Sequence, residues 1–339
     1  MTKKHILKIA FVYTGTILGA GFATGKELVS FFAIFNKLGI LGFFIACFLM
    51  SICAIAILNT IYYANDKNYE DFMYNIFGSM GKYIHIFNML LLFVLFSAML
   101  AGGGATISSI FSINEHIGIF IFCILTFLGL IFGKNAIIVI NSILCPVLIA
   151  GGMLIGIYLY YFDTTNVFNQ TTKAIISPFV YTSYNTITTI SVLFTIKNII
   201  TSKKVATLGG ILGGIFIFLI GIFILLPLVK NIDYIINSPL PILSLINDKT
   251  IKNIYSFTVL SAIFTTAVSN GVALESSTKN KLKIKDTYVK IFFLILGVAF
   301  STLGFSSIVS KIYPLFGYLG IFEILVIIFT LLFIKNPTY

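Results

Sequence analysis

The sequence predicts an all-α integral membrane protein with ten transmembrane helices, arranged as a 5+5 inverted repeat in which helices 1 and 6 are broken. Three observations predict this fold class. Of the 339 residues, 58% are hydrophobic and only 10% are charged, and the mean hydropathy is +1.05. The apolar residues form long blocks, and two of these blocks are interrupted by glycine, proline or clustered polar residues. A water-soluble domain could not bury so much apolar surface.

The apolar blocks give the number of helices. Each transmembrane helix needs about 20 apolar residues. Blocks of this kind cover approximately residues 6–35, 39–64, 82–112, 116–133, 136–162, 173–199, 205–229, 252–277, 287–309 and 313–334. Because five is an odd number, the second five helices must cross the membrane in the opposite sense to the first five. Residues 1–339 therefore form one transmembrane domain with inverted repeats at about 6–162 and 173–334.

Lysine supplies all of the basic charge, and its distribution predicts the orientation of the chain. With the N-terminus inside, most lysines fall in cytoplasmic segments, so the positive-inside rule places both termini in the cytoplasm of a multi-pass cell-membrane protein. Two connections are expected to have structure of their own. Residues 66–81 carry an apolar helical stripe and predict a cytoplasmic interfacial helix. The outside connection 231–248 is unusually apolar and predicts a lid that folds back over a vestibule.

The first apolar block is rich in glycine and ends in two charges, Lys26 and Glu27. Its glycines are Gly15, Gly19, Gly21 and Gly25. A helix can unwind at membrane depth only where protein, water or a ligand takes over the freed backbone groups, so this block predicts a solute site. Close helix packing is the alternative role of the glycines. Their spacing fits neither a dinucleotide fingerprint nor a phosphate loop, and we expect no ATPase domain and no nucleic-acid partner.

The sixth apolar block is interrupted by Pro178 and by a dense run of hydroxyl and amide groups. Two broken helices at matching positions of two halves are typical of a transporter's binding site. Backbone N–H groups at Gly19, Ala20 and Gly21 are expected to bind an anionic group of the solute, helped by the positive helix end. The side chains expected to contact the rest of the solute are Tyr181, Ser183, Tyr184 and Asn185.

The eighth block offers a candidate sodium site. Thr265 and Thr266 present neighbouring hydroxyls, and the carbonyl of Ala262 lies one turn earlier. About five hard neutral oxygens satisfy a sodium ion, and the remainder would come from an unwound backbone. The alternative is that the hydroxyls bond carbonyls of their own helix, which is common in membrane helices.

The run Tyr13-Thr-Gly-Thr-Ile-Leu-Gly-Ala-Gly-Phe-Ala-Thr-Gly-Lys-Glu27 resembles the YkvI-like family of bacterial membrane proteins. More distantly, the chain resembles the amino acid–polyamine–organocation superfamily, which has the leucine-transporter fold. The resemblance implies a central site between helices 1, 3, 6 and 8. It also implies that sodium would lie between Ala262, Thr265 and Thr266 and the carbonyls of Gly15 and Leu18.

These observations predict a secondary active transporter of a small organic solute, an amino acid or a related amine, working by alternating access and coupled to sodium. The expected partners are the solute and the lipid bilayer, and no cofactor is predicted besides the sodium ion. One alternative is proton coupling through Glu27 or Glu323. Others are a sensor or receptor subunit that binds solute without moving it, and a channel. Enzymatic activity is disfavoured because the sequence places no set of typical catalytic side chains at a common depth in the membrane. We also expect Lys26 and Glu323 to pair as an outer gate, leaving Glu27 facing water or titrating.

Overall fold

The computed structural model describes residues 2–64, 66, 68–160, 171–279 and 285–333, and every regular element in these ranges is helical. Residues 161, 162 and 334, at the ends of the predicted repeats, lie outside the described residues. The helices are α1 Thr2–Ile17, α2 Ala20–Ala23, α3 Lys26–Phe31, α4 Asn36–Tyr63, α5 Tyr69–Phe77, α6 Gly81–Phe111, α7 Glu115–Ile131, α8 Lys134–Tyr160, α9 Thr171–Thr195, α10 Lys203–Lys230, α11 Ile232–Ile235, α12 Pro241–Leu245, α13 Lys249–Lys279, α14 Asp286–Ser301, α15 Phe305–Ser307 and α16 Tyr313–Phe333.

Six helical stretches of the described chain are long and apolar enough to cross a membrane, judged by length and composition. They are Lys26–Tyr63, Tyr69–Phe111, Lys134–Tyr160, Lys203–Lys230, Lys249–Thr278 and Phe305–Ile327. Helices α1 and α14 have 16 residues each and α7 has 17, so they are short for a full crossing. Helix α9 is long but rich in hydroxyl groups. The chain is therefore a multi-pass helical membrane protein, and the count of ten crossings stays a prediction.

The first apolar block contains three helices, α1, α2 and α3. The chain leaves the helical conformation at Leu18 and Gly19, where Gly19 is extended, and again at Thr24 and Gly25. Gly25 has φ +84°, in the left-handed region that glycine adopts without a steric penalty. The backbone polar groups released at these two points lie inside the helix bundle, since residues 14–29 are all buried.

The sixth block forms one helix, and the predicted break in it is wrong. Helix α9 runs from Thr171 to Thr195 with Pro178 inside it. The polar side chains bond carbonyls of their own helix instead of interrupting it: Asn185 Nδ2 donates to Tyr181 O at 3.0 Å, and Thr188 Oγ1 donates to Asn185 O at 2.9 Å. Such bonds satisfy polar side chains within a continuous membrane helix. The proline is accommodated near the start of the helix, beside Gly42 of α4.

The long helices pack in two groups. The first contains α1, α4, α9, α10 and α16, and the second contains α6, α7, α13 and α14. Helix α8 contacts α1 and α10 of the first group and α13 of the second. Glycines allow the close approaches within and between these groups. A Cβ at Gly213 of α10 would lie 2.3 Å from Cδ1 of Tyr13, and one at Gly103 of α6 would lie 2.4 Å from the ring of Phe122.

The contact between α8 and α10 generates a stability prediction. A Cβ at Gly156 would lie 2.2 Å from the main-chain oxygen of Phe223, so Gly156→Ala must separate the two backbones. We expect it to cost about 1–3 kcal/mol and to lower the melting temperature in detergent. Leu154→Ala, which truncates an exposed side chain on the same helix, is the control and should change stability by less than about 0.5 kcal/mol. Equal melting temperatures for the two variants would contradict this packing.

Candidate functional site

Glu27 lies at the centre of the candidate site, in the first turn of α3. Its side chain is buried and faces α9. The hydroxyl of Tyr184 donates to Glu27 Oε2 at 2.5 Å, and the hydroxyl of Tyr181 approaches the same oxygen at 3.5 Å. Oε1 lies against Gly21, where a Cβ would come within 2.2 Å of it. Of the two roles predicted for Glu27, facing water is wrong, because α3 turns the side chain inward and the absence of a side chain at Gly21 leaves room for its carboxylate. That Glu27 titrates stays a prediction.

Two of the three backbone N–H groups predicted to bind an anion point to partners within the protein. The N–H of Gly19 donates to Ile17 O at 2.7 Å, and the N–H of Ala20 points to Met99 Sδ at 3.3 Å. Met99 comes from α6 and was not anticipated, because a thioether carries no sequence signal for this contact. The solute-binding role of Gly19, Ala20 and Gly21 stays a prediction, with the Glu27 carboxylate now beside it.

Of the four side chains predicted on α9, two reach the first apolar block. Tyr181 and Tyr184 contact Glu27, as described above. Ser183 faces α16 instead, since its hydroxyl lies 2.6 Å from where a Cβ of Gly320 would be. Asn185 bonds its own helix. Whether any of the four contacts solute stays a prediction.

A cluster of aromatic rings surrounds the Glu27 site. Phe31 lies 5.2 Å from Tyr181 and 5.6 Å from Tyr184, measured between ring centroids. Tyr181 and Tyr184 lie 5.4 Å apart at right angles, and Tyr313 of α16 lies 5.2 Å from Tyr184. All four rings are buried, and the hydroxyl of Tyr313 has no hydrogen-bond partner in the described chain. The position of Phe31 one helical turn after Glu27 was a usable sequence signal, whereas nothing local pointed to Tyr313.

All of the predicted sodium ligands except Leu18 lie together. Thr266 Oγ1 donates to Gly15 O at 2.8 Å, and Thr265 Oγ1 lies 3.5 Å from the same oxygen and donates to Ala262 O at 2.8 Å. These are hard neutral oxygens, the donor set that suits sodium. For Leu18, the described contact is its N–H bond to Thr14 O at 2.9 Å, which does not involve its carbonyl. The sodium role of these residues stays a prediction.

Asn141 of α8 adds a polar group to this place that sequence reasoning missed. Its Oδ1 lies beside Gly15, where a Cβ would come within 1.8 Å, and it is buried without a hydrogen-bond partner among the residues that the structure describes. Its Nδ2 donates to Ile137 O at 2.7 Å and to Ser269 Oγ at 3.2 Å. A single asparagine in an apolar block gives no sequence indication of its partner, so only the fold reveals this contact.

Lys26 and Glu323 do not meet, and the predicted pairing is wrong. Lys26 Nζ donates to the main-chain oxygens of Ser238 at 2.9 Å and Ile236 at 3.3 Å. Glu323 Oε1 accepts from Asn88 Nδ2 of α6 at 2.9 Å. Each charge therefore finds neutral partners in a different part of the molecule. The depth of each charge along its helix can be predicted from the sequence, but the direction in which each side chain points cannot.

The segment 231–248 packs onto the first apolar block, as predicted for a lid. Besides its two bonds to Lys26, it donates the N–H of Ile242 to Thr24 O at 3.0 Å. Ile242, Leu243 and Ile246 are buried. Tyr255, at the start of α13, adds a hydrogen bond from its hydroxyl to Ala23 O at 2.7 Å. The carbonyl groups of Ala23 and Thr24, which the break at the end of α2 frees from helical hydrogen bonds, thus accept hydrogen bonds from α13 and from this segment.

Glu323 belongs to a buried polar network that joins four helices. Asn88 Nδ2, which donates to Glu323, also lies 3.0 Å from the hydroxyl of Tyr69, and Ser191 Oγ donates to that hydroxyl at 2.8 Å. Tyr69 begins α5, the predicted interfacial helix, and Ser191 lies near the end of α9. Sequence reasoning missed this network because its members are separated by up to 254 positions.

A cavity of about 400 Å³ lies close to this network. It opens where the α7–α8 connection meets the starts of α5 and α14 and the ends of α9 and α13. Lys290 and Glu275 form an ion pair across 3.6 Å in its wall. These helix ends belong to the side of the molecule that the lysine distribution predicts to be cytoplasmic. The described chain therefore has a polar opening on that side, while the segment 231–248 covers the opposite end.

Comparison with known proteins supports the fold. No family model matches the chain. It is 27% identical over 328 residues to the membrane protein YkvI of Bacillus subtilis (strain 168), covering 94% of each chain. It is 25% identical over 324 residues to the protein YyaD of the same organism, covering 93% of this chain and 94% of YyaD. The similarity extends well beyond the first apolar block that suggested it.

Three solved structures share the fold at 14% sequence identity. MhsT in complex with L-phenylalanine has a TM-score of 0.65, and the match covers 97% of this chain and 95% of MhsT. Mhp1, a nucleobase-cation-symport-1 family transporter, has a TM-score of 0.68, with coverages of 92% and 74%. A Na⁺-coupled sialic acid symporter has a TM-score of 0.65, with coverages of 97% and 79%. The chain is thus similar throughout to the YkvI and YyaD membrane proteins, and it has the leucine-transporter fold.

Proposed function

We propose that this protein is a secondary active transporter of a small organic solute, an amino acid or a related amine, and that it works by alternating access. The observation that carries the proposal is the meeting of polar groups at the two breaks of the first apolar block. There, Gly15 meets Thr266 of the second helix group, and the buried Glu27 meets Tyr181 and Tyr184 of α9. Three of the structural neighbours with this fold bind or carry small organic molecules, and one neighbour is a manganese transporter. The proposal includes ten crossings with both termini in the cytoplasm.

Coupling to sodium is part of the proposal. Gly15 belongs to the first helix group, whereas Ala262, Thr265 and Thr266 belong to the second. The hydroxyl of Thr266 donates to Gly15 O in the described structure, and both oxygens have lone pairs that can turn towards a cation. The Asn141 amide oxygen, which lies beside Gly15, is a further candidate ligand, and the Leu18 carbonyl stays one on the resemblance alone. Binding there would hold the two groups together and stabilise the outward-open state.

The contacts at the two ends of the molecule suit two gates. On the outside, Lys26 holds the segment 231–248 by its main-chain oxygens. On the cytoplasmic side, Glu323 and Asn88 tie α16 and α6 to Tyr69 of α5. Alternating access requires that one of these contacts opens while the other stays closed, and both are made of hydrogen bonds that can exchange with water.

Proton coupling is the second candidate, and a specific observation favours it. Glu27 and Glu323 are both buried and both accept hydrogen bonds from neutral side chains. An ionisable group at such depth is usually functional, and carboxylates in transporters serve as proton carriers. A receptor subunit that binds solute without moving it would use the same central site.

Transport itself is tested by uptake into proteoliposomes. Labelled amino acids and amines are supplied with an inward sodium gradient, an inward potassium gradient or an acidic exterior, each at the same osmolarity. Uptake driven by sodium alone would support the proposal, and uptake driven by the pH gradient would favour proton coupling. Solute binding without uptake under any gradient would favour the receptor.

The sodium site generates a binding prediction. Thr265→Ala combined with Thr266→Ala removes two hydroxyl ligands of about five, so sodium should no longer stabilise the purified protein. In the wild type, a ligand at about one hundred times its Kd raises the unfolding free energy by about 2.7 kcal/mol. The measurement is the melting temperature in sodium chloride against potassium chloride. Ser261→Ala, which removes a hydroxyl that bonds its own helix, is the control. If the melting temperature of the wild type is the same in sodium chloride and in potassium chloride, proton coupling becomes the better proposal.

Lys26 generates a prediction about the segment 231–248. Lys26→Met removes two charge-assisted hydrogen bonds, and we expect amides at 232–246 to exchange with deuterium about tenfold faster. Hydrogen exchange measured by mass spectrometry reports this directly. Lys249→Met removes an exposed lysine near the same end of the molecule and should leave exchange unchanged. Equal protection in both variants would show that Lys26 does not hold the segment closed.

A further inference from the structure

Glu27 has no ion-pair partner among the residues that the structure describes. Its nearest lysine in sequence, Lys26, points away and is bonded to the main-chain oxygens of Ile236 and Ser238. The groups that contact the carboxylate are hydroxyl donors from Tyr181 and Tyr184. These donors match an ionised carboxylate, which only accepts hydrogen bonds. A carboxylate buried at membrane depth without a cation is costly, so the site favours a positively charged ligand.

The rings around Glu27 favour the same kind of ligand. Aromatic faces attract organic cations within about 6 Å of the ring centre, and several rings together form the cages that bind quaternary ammonium groups. Phe31, Tyr181, Tyr184 and Tyr313 form a continuous set with centroids 5.2 to 5.6 Å apart. The Tyr313 hydroxyl is buried and makes no hydrogen bond to the part of the chain that the structure describes, so we assign the contact with the ligand to its ring.

A solute carboxylate would be disfavoured at the same place. The N–H groups of Gly19 and Ala20, which were expected to bind an anion, are turned to Ile17 O and Met99 Sδ. The remaining position, Gly21, lies against Glu27 Oε1. Two carboxylates this close in a buried site repel each other and cannot both stay ionised. The observed groups thus favour a cation over a zwitterion.

We propose that the solute of this site is an organic cation without a carboxylate, whose ammonium group is bound by the Glu27 carboxylate and by the rings of Phe31, Tyr181, Tyr184 and Tyr313. This inference rests on the proposed function, since it names the class of solute that the transporter would carry. Because the rings pack against one another in the described structure, binding would move them apart, and it would replace the hydroxyl contacts of Tyr181 and Tyr184 with Glu27 by a direct contact between carboxylate and ammonium.

The experiment compares ligands of one shape and different charge. Choline is a cation, glycine betaine adds a carboxylate to the same ammonium group, and 3,3-dimethyl-1-butanol is the uncharged isostere of choline. The n-pentylammonium ion, 5-aminopentanoate and 1-pentanol form a second series for primary amines. Binding is measured as the shift in melting temperature of the purified full-length protein, in potassium chloride with and without sodium. We expect the cation of at least one series to bind at least about tenfold more tightly than its zwitterionic and neutral counterparts.

Two sets of variants locate the binding. Glu27→Gln should weaken cation binding by about 10- to 100-fold, which is the range for losing a charged hydrogen-bond partner. Glu115→Gln, a change of the same chemistry at an exposed position, is its control. Tyr313→Phe keeps the ring and should bind like the wild type, whereas Tyr313→Leu should bind about 3- to 10-fold more weakly. If Glu27→Gln does not fold, the pair at Tyr313 still tests the cage.

The outcomes separate this inference from the proposed function. Three results would each overturn the inference. The wild type could fail to bind the cations, it could bind the zwitterions equally tightly, or the single variants Glu27→Gln and Tyr313→Leu could both bind the cations as tightly as the wild type. Uptake of amino acids without any binding of the cations would overturn it too, while the transporter proposal would stand. Cation binding that depends on Glu27, without uptake into proteoliposomes, would support the ammonium site and overturn the transporter proposal.

Discussion

The break of the first apolar block at Leu18 and Gly19 is the constraint on which the rest of the site depends. In a continuous helix, the carbonyl of Gly15 would accept the N–H of Gly19. Here the N–H of Gly19 donates to Ile17 O instead, and the Gly15 carbonyl must find another donor inside an apolar bundle. Thr266 provides it at 2.8 Å. The candidate sodium site is therefore the consequence of satisfying a freed carbonyl from the neighbouring helix group.

At the second break, at Thr24 and Gly25, the freed carbonyl groups accept hydrogen bonds from α13, the helix that carries Thr266, and from the segment 231–248. Tyr255 of α13 donates to Ala23 O, and Ile242 donates to Thr24 O. Helix α13 thus supports both breaks, through Thr266 at one and Tyr255 at the other. This explains why the short helix α2 can exist at membrane depth. The backbone groups freed beside its two ends bond side chains and main chain from elsewhere in the fold and do not face lipid.

Much of the fold could be predicted from the sequence, because long apolar blocks and local glycine signals are properties of short windows. The predicted contact between Thr266 and the first block is present, and so is the packing of segment 231–248. The continuous α9 was not predicted, since a cluster of Thr, Asn and Pro178 suggests a break unless one knows that the side chains bond their own helix. The true partners of Lys26 and Glu323 also depend on helix rotation, which no local pattern encodes.

Adjacent residues of one short helix connect the proposed solute site with the segment 231–248. Glu27 points inward to Tyr184, whereas Lys26 points to the main-chain oxygens of the segment 231–248. Both belong to the first turn of α3, and Gly25, with φ +84°, directly precedes them. If α3 itself shifts when a cation binds to Glu27, Lys26 shifts with it, because the two residues share one helical turn. Such a shift of α3 would couple occupation of the proposed site to the segment 231–248 without a direct contact between solute and segment.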